Sequence, residues 1–201
     1  KTLEFFQLKE DMTVVELWPG SSGWYTEILA PYLKDNGLLY TVNFDGSTGL
    51  DYFERGATRF QDMLNSDPSM FGKVINMPLM PPKAVPAIQS GTVDLVVTFR
   101  NMHNWLMRDM EKDVLSFAYS ILKPNGIFGV VAHRSKDDQL GKSSASTGYL
   151  GQSFVIDLVE SSGFKLVETS DINSNLKDST DHPKGVWSLP PRLRLGDESK
   201  E

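Results

Sequence analysis

The residues best suited to chemistry in this chain stand where apolar runs end. Glu16 sits in the run Val14-Val15-Glu16-Leu17, which passes into Trp18-Pro19-Gly20-Ser21-Ser22-Gly23. Tyr25, Ile28, Leu29, Tyr32 and Leu33 then recur at helical spacing. Strand, small-residue loop and helix in that order present backbone N–H groups and a helix N-terminus to a nucleotide-like ligand. Asp45 lies 22 residues beyond Gly23 at the end of the next apolar run. A carboxylate there can accept hydrogen bonds from both hydroxyls of a ribose, although Asp45-Gly46 is also an ordinary turn pair. An acid at Glu16 suits a cationic ligand better than an anionic pyrophosphate; its structural alternative is to cap nearby backbone N–H groups.

Two histidines follow later apolar runs: His103 in Arg100-Asn101-Met102-His103-Asn104, and His133 in His133-Arg134. An imidazole near its ordinary pKa of about 6.5 can move a proton at neutral pH; a loop histidine satisfied by backbone is the competing reading. His182, in Asp181-His182-Pro183, reads as structural. The histidines have no His-x-x-x-His spacing, so no metal site is expected. Arg100 and Arg134 offer guanidinium groups to an anionic acceptor, or are solvated surface cations. Tyr149 follows a Ser-, Gly- and Lys-rich stretch and either closes over a substrate or packs.

These residues need a sheet to position them. Residues 1–12 read as a lead-in helix, and Thr13 to Leu17 as a first strand of the continuously apolar kind found inside parallel sheets. A helix over 23–34 stops at Asn36-Gly37. The second strand, Leu38 to Phe44, precedes a helix with Leu50, Phe53, Phe60 and Leu64 on one face, ended by Asp67-Pro68. Lys73 to Met77 is a weaker third strand, followed by a proline-rich loop over 78–86. Val93 to Phe99 is the fourth. Asp109 can cap a helix bearing Val114, Phe117, Ala118, Ile121 and Leu122, which stops at Lys123-Pro124-Asn125-Gly126 before a fifth strand, Ile127 to Ala132. Residues 135–148 read as a mobile loop, 149–161 as a helix beginning at Tyr149, and Phe164–Thr169 and Val186–Leu189 as strands six and seven, paired antiparallel. The whole predicts an α/β, Rossmann-like, seven-stranded, mostly parallel sheet with an antiparallel terminal strand and helices on both faces, in a single domain over 1–201 with a charged C-terminal tail at 191–201.

The composition narrows the function classes. The chain has 201 residues, 40% hydrophobic, with net charge -6 and no cysteine; its mean hydropathy is -0.27 and its pI near 5.1. An acidic chain of this kind does not grip nucleic acid non-specifically, and no apolar run approaches the roughly 18 residues of a membrane span. Thiolate chemistry and disulfides are excluded, which leaves the compartment open. The first residue is Lys1, which suggests a processed or trimmed product; the compartment is cytoplasmic, or periplasmic if a signal peptide precedes Lys1. Oligomeric state is not read from the sequence.

Glu16-x-x-x-Gly20, Asp45, Asp94-Leu-Val-Val-Thr-Phe99, Leu122-Lys-Pro-Asn-Gly126 and the terminal strand pair together resemble a class I S-adenosylmethionine-dependent methyltransferase, over about residues 12 to 190. Phe99-Arg100-Asn101-Met102 is similar to a segment of quinone-pathway C-methyltransferases. Glu16-Leu-Trp-Pro-Gly20 and Gly185-Val-Trp-Ser-Leu-Pro-Pro191 are most similar to a bacterial group of predicted methyltransferases without an assigned substrate. The resemblance implies S-adenosyl-L-methionine as cofactor. Glu16 with Gly20, Ser21, Ser22 and Gly23 would hold its amino-acid end, Asp45 its ribose and Met77 its adenine, while Trp18 and Tyr25 would adjoin it. Phe99, Arg100 and Asn101 would line the methyl-transfer face. His103 and His133 are the candidate bases, and Asn104, Arg134 and Tyr149 the candidate contacts to a small-molecule acceptor. Trp18 stands where the family usually has its first glycine, and Met77 supplies no carboxylate for the adenine amino group. The absence of Asn-Pro-Pro-Tyr after the fourth strand argues against nucleobase and amide N-methyltransferases. A degenerate cofactor-binding protein without turnover is one alternative; a nicotinamide-dependent reductase, which lacks its G-x-G-x-x-G loop here, is another.

Overall fold

The computed structural model of the chain describes residues 1–190 and 192–194. It resolves into two compact units, the first made of residues 1–99 and 116–130, the second of 100–115 and the chain from 131 onward.

The first unit holds, in chain order, α1 (Thr2–Phe5), β1 (Thr13–Leu17), α2 (Thr26–Leu33), β2 (Leu38–Asn43), α3 (Asp51–Ser66), α4 (Pro68–Phe71), β3 (Ile75–Pro78) and β4 (Val93–Phe99). After the next two helices, α5 (Met102–Leu106) and α6 (Glu111–Ile121), β5 (Leu122–Val131) completes a five-stranded parallel sheet in the order β3-β2-β1-β4-β5. In register, Thr13 faces Leu38 and Val14 faces Leu95. Val14, Val15 and Leu17 on β1, and Leu95, Val96 and Val97 on β4, are fully buried. Both faces of these central strands are covered, which is why they read as unbroken apolar runs and not as alternating ones. On α3, Phe53, Gly56, Phe60 and Leu64 are buried at spacings of three and four, the core stripe of an amphipathic helix.

At the amino ends of the strands, Asp94 accepts a hydrogen bond from the Thr13 backbone (2.9 Å) and pairs with Lys123 (2.6 Å). The Asp94 of the sequence motif is therefore a strand-tying acid, far from the carboxyl ends where ligands bind.

The second unit holds α5, a two-residue parallel pair formed by β6 (His133–Arg134) and β7 (Tyr149–Leu150), α7 (Gln152–Glu160), and 3-10 turns over Lys142–Thr147 and Gly185–Ser188. Several expectations need correction. Among the described residues the sheet has five strands, not seven, and no antiparallel terminal strand. Phe164–Thr169 has the alternation of a strand but forms none: Val167 is 89% exposed, and the Leu166 N–H donates to the Glu160 carboxylate, not to a neighbouring ladder. Val186–Leu189 is wound by Gly185, whose φ is 57°, into a 3-10 turn. Tyr149 lies in β7, not at a helix start, because Gly148 at φ 83° turns the chain before it and Gly151 delays the helix to Gln152. The stretch read as a loop over 135–148 carries the 142–147 turn, with Ser144 and Ala145 buried. Asp109 does not begin the next helix; at φ 54° its carboxylate pairs with Lys142. The expected turn at 123–126 falls within β5, where Asn125 takes φ 65°. Pro191 and residues 195–201, most of the expected tail, lie outside the described residues.

Candidate functional site

The strand order reverses between β1 and β4, one neighbour running toward β2 and the other toward β5. In open α/β sheets the ligand crevice lies beyond the carboxyl ends of the strands at such a switch point. Glu16 and Trp18 come from the end of β1, and Phe99 from the end of β4.

Glu16 is 2% exposed and accepts a 2.6 Å hydrogen bond from the Thr26 hydroxyl at the start of α2. Burial outweighs that bond and pushes its pKa up to about 7. Trp18 takes a left-handed backbone (φ 51°), is buried, and packs edge-on against Phe44 with centroids 5.1 Å apart. Its indole N–H donates to the Leu79 carbonyl at 3.1 Å. The bulky residue at a glycine position is thus absorbed as a peg between the loops that follow β1 and β3. Gly20 (φ 77°) has nothing near its Cα on the side-chain side, and Gly23 (φ 58°) lies against α3, where a Cβ would come within 2.4 Å of the Met63 methyl. Glycine is required at Gly23 on both counts. Tyr25, the residue before α2, lays its ring flat on Phe99, with centroids 3.4 Å apart and planes at 6°.

From β2 come Asn43 and Asp45. Asn43 is buried; its amide N–H donates to the Gly20 carbonyl at 2.9 Å, while its Oδ1 has no partner among the described residues. Asp45 Oδ1 accepts from the Ser47 backbone and hydroxyl at 2.8 and 2.7 Å, so it does make the expected turn, through one oxygen. Met77 sits near the end of β3, partly exposed.

The second unit gathers a different set. The β6–β7 register places His133 opposite Tyr149, with ring centroids 6.1 Å apart. His103 on α5 is 2% exposed, lies 6.1 Å from His133 and 5.3 Å from Trp187, and its Nε2 has no partner among the described residues. Burial, then neighbouring positive charge (His133 and Arg108 for His103, Arg100 for His133), lowers both pKa values to about 4. The Tyr149 hydroxyl donates to the Asp178 carboxylate at 2.9 Å, and His182 Nε2 meets the same carboxylate at 3.0 Å. Burial and the Asp178 charge raise the tyrosine pKa. Arg134 is committed to Asp171 and the Ser170 carbonyl. Arg100, exposed and at φ 63°, donates its backbone N–H to Val131. Asn101 is buried ahead of α5, and Asn104 donates its backbone N–H to the Asn101 carbonyl.

No protein-family model matches the sequence, and no curated protein matches it. Solved structures do. A SAM-dependent methyltransferase from Aquifex aeolicus aligns with a TM-score of 0.63 at 16% identity, over 83% of this chain and 79% of that one. An arsenic (III) S-adenosylmethionine methyltransferase from Chlamydomonas reinhardtii gives 0.54 at 19% identity, over 77% of this chain and 52% of its own. A precorrin-6y C5,15-methyltransferase from Geobacter metallireducens gives 0.54 at 14%, over 82% and 69%. This chain has the class I methyltransferase fold. It spans about half of the algal enzyme.

Whether this methyltransferase fold can take the cofactor is tested by what its carboxyl-end residues offer. They are acceptors: the buried Glu16 carboxylate, the unpartnered Asn43 Oδ1 and the second oxygen of Asp45. S-adenosylmethionine presents an ammonium, ribose hydroxyls and an adenine amino group, all donors, so the residues fit. Asn43 and Thr26 were not singled out from the sequence. Their signals were faint: an amide closing an apolar strand two residues before Asp45, and a hydroxyl opening an apolar helix. Asp178, which accepts from the Tyr149 hydroxyl, carried no local signal, whereas Trp187, whose ring meets His103 edge-on, entered the sequence reading only within the 185–191 motif.

Proposed function

We propose that this chain is an S-adenosylmethionine-dependent methyltransferase acting on a small-molecule acceptor, in one methyltransferase-like domain. The observation that carries the reading is Glu16: a buried carboxylate at the switch point of a methyltransferase fold, held by one hydroxyl and pushed to a pKa of about 7. A carboxylate so desolvated is costly as an anion unless a cation joins it. Glu16 is assigned to the cofactor's ammonium, Asp45 to its ribose and Asn43 to a further donor. Gly20, Ser21, Ser22 and Gly23 supply the loop backbone, with Tyr25, Met77, Phe99, Arg100 and Asn101 adjoining; Trp18 shapes the loop from below. The cofactor supplies an electrophilic methyl group on a sulfonium. In the second unit His103 and His133 serve the acceptor, both held in the base form at neutral pH by their lowered pKa values. Asn104 and Tyr149 orient it, while Arg134 must leave Asp171 to do so. The small acceptor is supported by the acidic charge of the chain and by the arsenic and precorrin enzymes that share its fold. The motifs at Glu16–Gly20 and Gly185–Pro191 support a place in the bacterial group of predicted methyltransferases.

The test is thermal denaturation with S-adenosylmethionine and S-adenosylhomocysteine. At about 100 times the dissociation constant, binding stabilises by roughly 2.7 kcal/mol, which raises the midpoint by roughly 5–10 °C in a chain of this size. No shift with either ligand refutes the proposal.

A further inference from the structure

We propose that the acceptor taken by the second unit is an aromatic carboxylate, laid along a wall of four rings with its anionic group at Arg100, and that one of its oxygens receives the methyl group. The inference rests on the cofactor reading above. Trp187, His103, His133 and Tyr149 follow one another with ring centroids 5.3, 6.1 and 6.1 Å apart. They come from four separate stretches, the 185–188 turn, α5, β6 and β7. His103 and Tyr149 are 2% exposed, whereas Trp187 and His133, the two neighbours of His103, keep part of their surface open. Rings at these spacings suit a flat apolar ligand, which gains from edge and face contacts with them.

The polar groups around the wall favour an anion on it. Arg100 is exposed and held at φ 63°, a backbone conformation that costs energy for any residue with a side chain. Its backbone N–H donates to the Val131 carbonyl at 2.6 Å, two residues before His133, and its charge reaches the His133 ring. Arg134 is neutralised by Asp171, but the Arg100 guanidinium pairs with no carboxylate among the described residues. The other charges that bear on the two histidines are Arg108 and Asp178. Asp178 is already taken by the Tyr149 hydroxyl, the Thr180 N–H and His182. His103 Nε2, buried and without a partner among the described residues, is a neutral donor in the tautomer that carries its proton there. A guanidinium fork and an imidazole N–H are the donors a carboxylate accepts best.

The transfer then closes without a base. Both imidazoles are neutral at pH 7 and, with pKa values of about 4, bind a proton too weakly to take one from a phenol or an alcohol. A carboxylate has no proton to give up. Its oxygen attacks the sulfonium methyl carbon, the carbon–sulfur bond breaks, and the electron pair stays on sulfur as a neutral thioether. The product is a neutral methyl ester, which no longer pairs with Arg100 and is released.

The experiment is calorimetric titration of the full chain, its Arg100→Gln variant and its Trp187→Leu variant, first with S-adenosylhomocysteine and then with benzoate or its neutral isostere benzamide. The parent is expected to bind benzoate roughly tenfold more tightly than benzamide, Arg100→Gln to lose that ratio, and Trp187→Leu to bind both more weakly. Given S-adenosylmethionine, the parent is expected to form methyl benzoate at a rate that is level from pH 5.5 to 8. Equal affinity of the parent for benzoate and benzamide, or failure to bind benzoate, overturns the inference, and this arm decides should either variant fail to fold. A ratio that survives Arg100→Gln, unaltered binding in Trp187→Leu, benzoate bound without methyl benzoate formed, or a rate that climbs with pH across that range also overturns it. All of these leave the cofactor reading intact if S-adenosylhomocysteine binds. Failure of the parent to bind either S-adenosylhomocysteine or S-adenosylmethionine overturns the cofactor reading itself.

Discussion

Glu16→Gln is the substitution that most directly tests the physical argument. The amide keeps the size of the side chain and an oxygen for the Thr26 hydroxyl, and removes only the ability to ionise. In the folded chain Glu16 titrates at about 7, against an ordinary 4.5. The folded state therefore holds a proton that the unfolded state has released between those two values, and stability falls as pH rises through that window. Over its whole span the shift corresponds to about 3 kcal/mol. The stabilising contribution of protonated Glu16 is complete below pH 4.5 and gone above pH 7. Relative to the parent, the ligand-free variant should gain nothing at pH 4.5 and about 3 kcal/mol at pH 8, seen as a midpoint about 6–12 °C higher. Denaturant melts of both proteins at pH 4.5, 6 and 8 measure the difference directly, and the histidines cancel because both proteins carry them. The variant should also lose the stabilisation given by S-adenosylmethionine. A parent-to-variant difference that stays flat from pH 4.5 to 8 would show that Glu16 is solvated or paired, and the argument for a cation at this position would fall with it.

Other substitutions probe the rest of the site. Asp45→Ala should weaken S-adenosylmethionine binding by at least about tenfold, the loss of one charge-assisted hydrogen bond or more, read by titration calorimetry. Gly23→Ala places a Cβ 2.8 Å from the buried Phe60 ring on a left-handed backbone and should cost about 1–3 kcal/mol in denaturant melts. Tyr149→Phe leaves Asp178 short of a donor and should cost about 1–3 kcal/mol, whereas Phe154 replaced by Leu, on the neighbouring helix, tests packing alone. The rings of His103 and His133, with pKa values near 4, should show no titration between pH 5.5 and 8 in NMR; as pH falls from 6.5 toward 4 their protonation should destabilise the fold, since the unfolded chain takes up protons first.

Much of the first unit was legible in the chain. Buried parallel strands have no solvent face, so Thr13–Leu17 and Val93–Phe99 announce themselves as unbroken apolar runs, and the acids Glu16 in β1 and Asp45 just past β2 stand out against such runs. Asp67-Pro68 sets a boundary by local backbone preference, whereas Gly37 is fixed by packing, since a Cβ there would meet the Met12 and Glu10 carbonyls at 2.6 and 2.7 Å. Where the outcome depended on non-local partners, the sequence misled. Phe164–Thr169 has strand alternation, but a strand exists only if a neighbour offers a ladder, and its Leu166 N–H finds the Glu160 carboxylate instead. Trp18, a bulky residue where the resemblance implies glycine, is received by Phe44, Phe53 and the Leu79 carbonyl, all distant in sequence. The chain by itself determined the order of the five sheet strands and the acids Glu16 and Asp45 near the ends of the first two. Only the tertiary structure determined that Glu16 is dry enough to titrate near neutrality, that Tyr25 lies face to face on Phe99, and that His133 sits beside Tyr149, because burial and contact arise from residues distant in sequence.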